Sequence, residues 1–161
     1  MEASTLANRD PFLILYGSET GNAEEVAFKL HQQFSSHGHR FLIKSIDEYD
    51  VSLLPSEKLI VWIVATAGEG EVPLSMKKFW KFLLRKSLST ASLQGVSSAV
   101  FGLGDSSYEK FNSAARCLIR KWHDHVLMAI TLNIRSFYKL TLNFHETGDY
   151  QNGCSNLGRK T

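Results

Sequence analysis

Three short stretches hold the residues whose types and spacing could do chemistry. Ser18, Glu19, Thr20, Gly21, Asn22 and Ala23 place two hydroxyls and a glycine just ahead of a helical pattern. Hydroxyls, close backbone approach at a glycine and the N–H groups of a helix start together suit a phosphate. No lysine of the GxxxxGK[ST] type accompanies them, so hydroxyls and backbone N–H groups alone would hold the anion. A capped strand-to-helix turn with no ligand reads the same way. Ala65, Thr66, Ala67 and Gly68 lead into Glu69-Gly70-Glu71-Val72-Pro73. Backbone freedom at the end of an apolar run often serves a ligand that packs on main chain, although a solvated acidic loop is the plainer reading of Glu69 and Glu71. The third stretch is Leu103, Gly104, Asp105, Ser106, Ser107, Tyr108, Glu109, Lys110, Phe111 and Asn112. The face of Tyr108 suits stacking on a flat heteroaromatic ring, or packing on its neighbours. Gly102-Leu103-Gly104 lacks the third glycine of a dinucleotide fingerprint and is set aside. His123 and His125 read as surface residues rather than metal ligands, and Cys117, on a helical pattern, reads as core.

The elements that must position these stretches are legible from periodicity. Residues 12–16 form an apolar run without alternation, which suits a strand buried on both faces. Asn22 followed by Glu25 has the form of a capping box, and Val26, Leu30 and Phe34 continue at helical spacing until Gly38 stops the helix. Residues 40–46 alternate as a second strand, 59–64 form a third and 97–103 a fourth. Ser75 is placed to cap a helix carrying Phe79, Trp80, Leu83 and Leu84, and residues 113–122 read as a last helix. Strands alternating with helices imply an α/β, doubly wound parallel sheet in three layers. Ligands of such sheets bind outside the carboxyl ends of the strands, at the switch point. All three stretches follow strands, so they are expected to gather at one edge. Their convergence points to a ligand site more strongly than any one of them.

Bulk properties narrow the class. A chain of 161 residues favours one domain. The net charge of +2 comes from residues 113–161, where basic residues outnumber acids, and is too mild and scattered for a nucleic-acid partner. The polar lead at residues 1–10 lacks the apolar region of a secretory signal, and no run is long enough to span a bilayer, so no membrane partner is expected. Two cysteines, Cys117 and Cys154, form no metal-type spacing and no disulfide framework, which makes a reducing cytoplasmic setting the expectation.

Taken together, LYGSETGNAEEVA, VATAGEGEVPLSMKKFWKFLL and VFGLGDSSYEKFNSAA resemble the three FMN-binding stretches of flavodoxins. They are most similar to the N-terminal FMN domain of the NADPH-dependent diflavin oxidoreductases that feed cytosolic iron–sulfur cluster assembly, with cytochrome P450 reductase a more distant relative. The resemblance covers residues 11–122. It implies a flavodoxin-like fold, FMN as cofactor and electron transfer from an FAD/NADPH reductase module to a redox acceptor protein, such as an iron–sulfur assembly protein. It also implies that residues 18–23 wrap the phosphate and that residues 65–68 pass along one side of the flavin ring. A backbone group near Gly68 would answer changes in flavin protonation. Residues 103–112 would cover the ring's other side, with Tyr108 stacking. No side chain would do covalent chemistry; the cofactor does it and the protein tunes it.

Two departures bear on this. Ala67 stands where the family usually has Thr or Tyr, and Glu69, Glu71 and Val72 replace a more usual Gln-Gly-Asp-Pro-Pro style run. From His123 the sequence no longer follows the family, which continues with a fifth strand, a flavin-contacting Gly-Asp-Asp-type loop and a final helix. Alternation within residues 125–144 predicts an edge strand, whereas the polar residues 146–161 offer no amphipathic helix. The segment 123–161 is therefore expected to leave the C-terminal strand and helix atypical or incomplete, as in a truncated version without FAD and NADPH domains, which is not expected to act alone. A marginally stable domain, stabilised by FMN and prone to associate, is the corresponding expectation. The alternative function is an interaction module that binds FMN weakly or not at all. A nucleotide-binding regulatory domain is more distant, because its phosphate motif should carry a lysine or an acidic metal ligand.

Overall fold

Apolar runs that lack alternation become the inner strands of a parallel sheet. The structure is a computed structural model, and it describes residues 11–85, 93, 95–123 and 129–134. Its strands are β1 (Phe12–Gly17), β2 (Phe41–Ser45), β3 (Leu59–Ala65), β4 (Ser97–Leu103) and β5 (Ala129–Ile134). Five residues of β3, Ile60 through Val64, are buried in succession, as expected for a central strand covered on both faces. β2 alternates between half-buried and exposed positions, because it is an edge. The strand order is β2-β1-β3-β4-β5, all parallel, the 2-1-3-4-5 order of flavodoxin-type doubly wound sheets. β5 lies within the expected edge-strand region. Residues 1–10 and the polar stretch 146–161 lie outside the described residues.

Helices α1 (Asn22–Ser36), α2 (Lys77–Leu83) and α3 (Ser113–His123) complete three layers. Ala23 and Ala27 of α1 pack with Ile14, Val61, Ile63 and Phe101 on one face of the sheet. Phe79, Trp80 and Leu83 of α2 join Leu118 and Trp122 of α3 on the other, over Leu13, Leu15, Trp62 and Val100. Trp62 anchors that face, stacked on Phe79 with ring centres 4.9 Å apart and edge-on to Trp122, also at 4.9 Å. Each such aromatic pair adds about 0.5–1.5 kcal/mol beyond area burial. Among the described residues no helix is long and apolar enough to cross a membrane.

Three local readings of the sequence need correction. The N-cap of α1 is Gly21, at φ 88°, a position that supplies no side-chain cap bond. Asn22 is its first helical residue, and Glu25 pairs with Lys29 across one turn instead of closing a capping box. Ser75 does not cap α2, which begins after a short 3₁₀ turn at Leu74–Met76. Its hydroxyl accepts the Ser18 N–H and donates to the Ser18 carbonyl, both at 3.2 Å, and so ties the first loop to the third strand's connection. Cys117 is buried as expected, but it is disulfide-bonded.

Candidate functional site

Register brings the three loops together. Gly17 lies beside Val64, Val64 beside Gly102, and Ala65 beside Leu103, so β1, β3 and β4 end nearly level. The Thr66 N–H donates to the Leu103 carbonyl at 3.0 Å and carries the ladder one step past the strands. β1 stands between β2 and β3, which puts the reversal of winding at this edge of the sheet. A cleft of about 680 Å³ opens there.

Most of the expected site residues line that cleft. Glu19, Thr20 and Asn22 come from the first loop, Ala65, Thr66, Ala67 and Gly68 from the second, and Leu103, Gly104, Asp105, Tyr108, Glu109, Lys110, Phe111 and Asn112 from the third. Ser18, Gly21, Ala23, Ser106 and Ser107 are not on its wall. Ser18 works from behind: its hydroxyl accepts the N–H groups of Gly21 at 3.0 Å and Ala23 at 3.3 Å. Ala23 is buried between α1 and the sheet. Glu69 and Gly70 also line the cleft, which the reading of a solvated acidic loop left out. Nothing local marks them; they reach the wall because the turn folds over.

That turn is tightly pinned at its ends. Ala67 and Glu71 exchange two backbone hydrogen bonds, at 3.0 and 2.7 Å, and the Gly70 N–H donates to the Ala67 carbonyl at 3.1 Å. Gly68 at φ 44° and Gly70 at φ 92° supply left-handed backbone that side chains disfavour. The third loop is built differently. The Asp105 carboxylate accepts the Ser107 N–H at 2.8 Å, an Asx turn, and the Tyr108 N–H donates to the Asp105 carbonyl. The Ser107 backbone N–H, and then its hydroxyl, hold the Asp105 carboxyl below the usual range, so it is a carboxylate at neutral pH. Asn112, at φ 52°, is buried against Gly102 and Gly104, where a β-carbon would lie 3.0 Å from its Cγ and 2.6 Å from its Oδ1.

The walls have a distinct character. Thr66 Oγ1 is buried and has no hydrogen-bond partner among the described residues. A β-carbon on Gly21 or Gly68 would meet open space. Tyr108 is 70% exposed, so packing on its neighbours does not account for it. Four of the lining side chains, Glu19, Glu69, Asp105 and Glu109, carry carboxylates, against the single lysine Lys110.

The model of the flavodoxin family matches residues 14–153, most of the chain. The chain belongs to the flavodoxin family. Among curated relatives it is similar to NADPH-dependent diflavin oxidoreductase 1 of Danio rerio, 47% identical over 109 residues, 68% of this chain and 18% of that protein. The same-named protein of Schizosaccharomyces pombe is 46% identical over 105 residues, 65% of this chain and 18% of its own length. The chain thus spans about 18% of the length of the relatives it matches. Among solved structures, flavodoxin 1 of Bacillus cereus in its oxidised form superposes with a TM-score of 0.64 at 24% identity, covering 80% of this chain and 88% of that one. A flavodoxin of Streptococcus pneumoniae gives 0.65 at 23%, covering 78% and 83%. At that identity the likeness is one of fold. Membership of the flavodoxin family, with diflavin oxidoreductases as relatives, implies FMN as the cofactor.

Proposed function

We propose that this flavodoxin-family chain holds FMN in the cleft at the β1/β3/β4 edge and serves as an electron carrier between proteins. The observation that carries the reading is the meeting of three separate loops around one cleft of about 680 Å³. That size lies within the roughly 300–1,000 Å³ of small-molecule and cofactor sites. The residues present fit the cofactor. Thr66 Oγ1 is a buried polar atom awaiting a partner, Gly21 and Gly68 leave room for close approach to backbone, and Tyr108 presents an uncovered ring. Thr20, Asn22 and the start of α1 would take the phosphate, where the first-turn N–H groups lack helical partners. Thr66 through Gly68 and Tyr108 would flank the ring. Bound FMN supplies the electron-accepting and electron-donating chemistry; the chain's residues orient it and exclude water.

The similarity to diflavin oxidoreductases supports a reductase module carrying FAD and NADPH as the electron source. A redox protein of iron–sulfur cluster assembly is the acceptor class, in the cytoplasm. The carboxylates at the rim favour a basic docking face on such a partner. Two observations favour the second reading, an interaction module with weak FMN affinity. The acid excess of the wall opposes a dianionic phosphate, and Ser18 spends its hydroxyl on Gly21 and Ala23. Titration of the cofactor-free protein with FMN, FAD and NADPH, followed by quenching of flavin fluorescence, separates the two. Saturable binding of FMN, tighter than FAD or NADPH, is expected. Tighter FAD binding, or none of FMN, would overturn the proposal.

A further inference from the structure

The two loops that flank the cleft are also joined from behind its wall, by a side chain that does not line it. The Ser113 hydroxyl, at the first position of α3, donates to the Gly70 carbonyl at 2.6 Å, across 43 residues of chain. The stem of Lys110 lies on the same glycine: a β-carbon there would sit 2.6 Å from Lys110 Cδ, 2.7 Å from Lys110 Cβ and 3.0 Å from Ser113 Oγ. Gly70 is buried, and its N–H is already bonded to the Ala67 carbonyl. Ala67, Gly70 and Glu71 are therefore each tied down, while the backbone at Gly68 and Glu69 is exposed at the cleft.

We propose that Ser113 is a positioning residue: its bond to the Gly70 carbonyl, under the stem of Lys110, latches the 67–71 turn to the 105–112 loop and sets the spacing of the two walls. This rests on the reading of the cleft as an FMN site, but the latch itself is a property of the protein without cofactor. Ser113 does not itself line the cleft, so its effect reaches the site through Gly70, which does.

The test compares wild type with Ser113→Ala, Ser113→Thr and, as a distant control, Ser36→Ala. Ser36 also donates to a backbone carbonyl, that of Gln33, on the far end of α1. Amide hydrogen exchange on the cofactor-free chain reads the latch directly. Ser113→Ala is expected to speed exchange at Ala67, Gly70 and Glu71 by about tenfold while leaving α1 unchanged, and Ser113→Thr to restore it. With FMN added, Ser113→Ala should weaken binding about tenfold, equivalent to roughly 1.4 kcal/mol. It should also shift the midpoint potential of the bound flavin, and Ser113→Thr should reverse both effects. Unchanged exchange in Ser113→Ala, or a change equalled by Ser36→Ala, overturns the latch. Faster exchange with unaltered FMN affinity and potential overturns the positioning role. Failure of the wild-type chain to bind FMN would instead sink the proposed function, and the exchange arm would still decide the latch.

Discussion

Tyr108 shows how one side chain can be read only in context. A tyrosine that exposes 70% of its surface at the lip of a cleft gains little from its present neighbours. If its ring covers the flavin, Tyr108→Ala removes stacking of about 0.5–1.5 kcal/mol beyond lost area. FMN affinity then falls roughly tenfold, whereas Tyr108→Phe keeps it. Fluorescence titration of the three proteins checks this, and equal affinities would place the ring elsewhere. A second residue-scale expectation concerns Tyr16. Its hydroxyl donates to Glu24 at 3.1 Å. Burial, then the Glu24 hydrogen bond and nearby carboxylates, push its pKa up to about 12 from an ordinary 10. The folded state thus keeps a proton that the unfolded chain loses first. The stabilisation is complete below pH 10 and declines as pH rises toward 12. Tyr49, raised by burial and its bond to Glu57, acts in the same direction. Urea denaturation between pH 9 and 11.5 should show a shallower decline in Tyr16→Phe than in wild type; parallel curves would remove Tyr16 from the account.

At the scale of elements, Gly102 of β4 explains why α3 lies where it does. A β-carbon at Gly102 would come within 2.8 Å of the Ala115 β-carbon and 3.0 Å of Asn112 Cγ. Small residues on both sides let helix and strand approach closely, and the third loop is drawn taut between them. Gly102→Ala is therefore expected to cost about 1–3 kcal/mol by overpacking. Adding Ala115→Gly should recover part of that loss, less the roughly 1 kcal/mol that glycine costs inside a helix. Equilibrium denaturation of the single and double variants measures it; a neutral Gly102→Ala would mean that α3 shifts freely. Gly102 and Gly104 thus serve packing and loop geometry.

For the molecule as a whole, ligand and fold are coupled. The cleft walls are connections that follow three different strands, so a bound cofactor would add contacts among the ends of β1, β3 and β4. FMN at about 100 times its dissociation constant should add roughly 2.7 kcal/mol of stability. For a chain of this length that corresponds to a rise in melting temperature of roughly 5–11 °C. Riboflavin, which lacks the phosphate, should give a much smaller rise if the first loop and the start of α1 hold that group. Calorimetry with both ligands tests this, and equal shifts would release residues 18–23 from the phosphate role.

The order of elements, the parallel sheet and the three loops at its carboxyl edge were legible in the chain because each rests on local pattern. The unbroken apolar runs of β1 and β3, the helical spacing of Val26, Leu30 and Phe34, and the glycines that break them are all such patterns. Fifteen expected site residues reach the cleft for the same reason: strands of matched register end together, so their loops start together. What local pattern misassigned were partners remote in sequence. Ser75 has the form of a helix cap, but it is spent on Ser18, 57 positions away. Asn22 has the form of an N-cap, but Gly21 takes that place because left-handed backbone there costs a glycine little. Glu69 and Gly70 reach the cleft, and Ser113 reaches Gly70, only once β3 and β4 lie side by side. A side-chain hydroxyl bonds to whichever backbone group the packing presents. That choice follows from how the layers meet, and no periodicity in the chain encodes it.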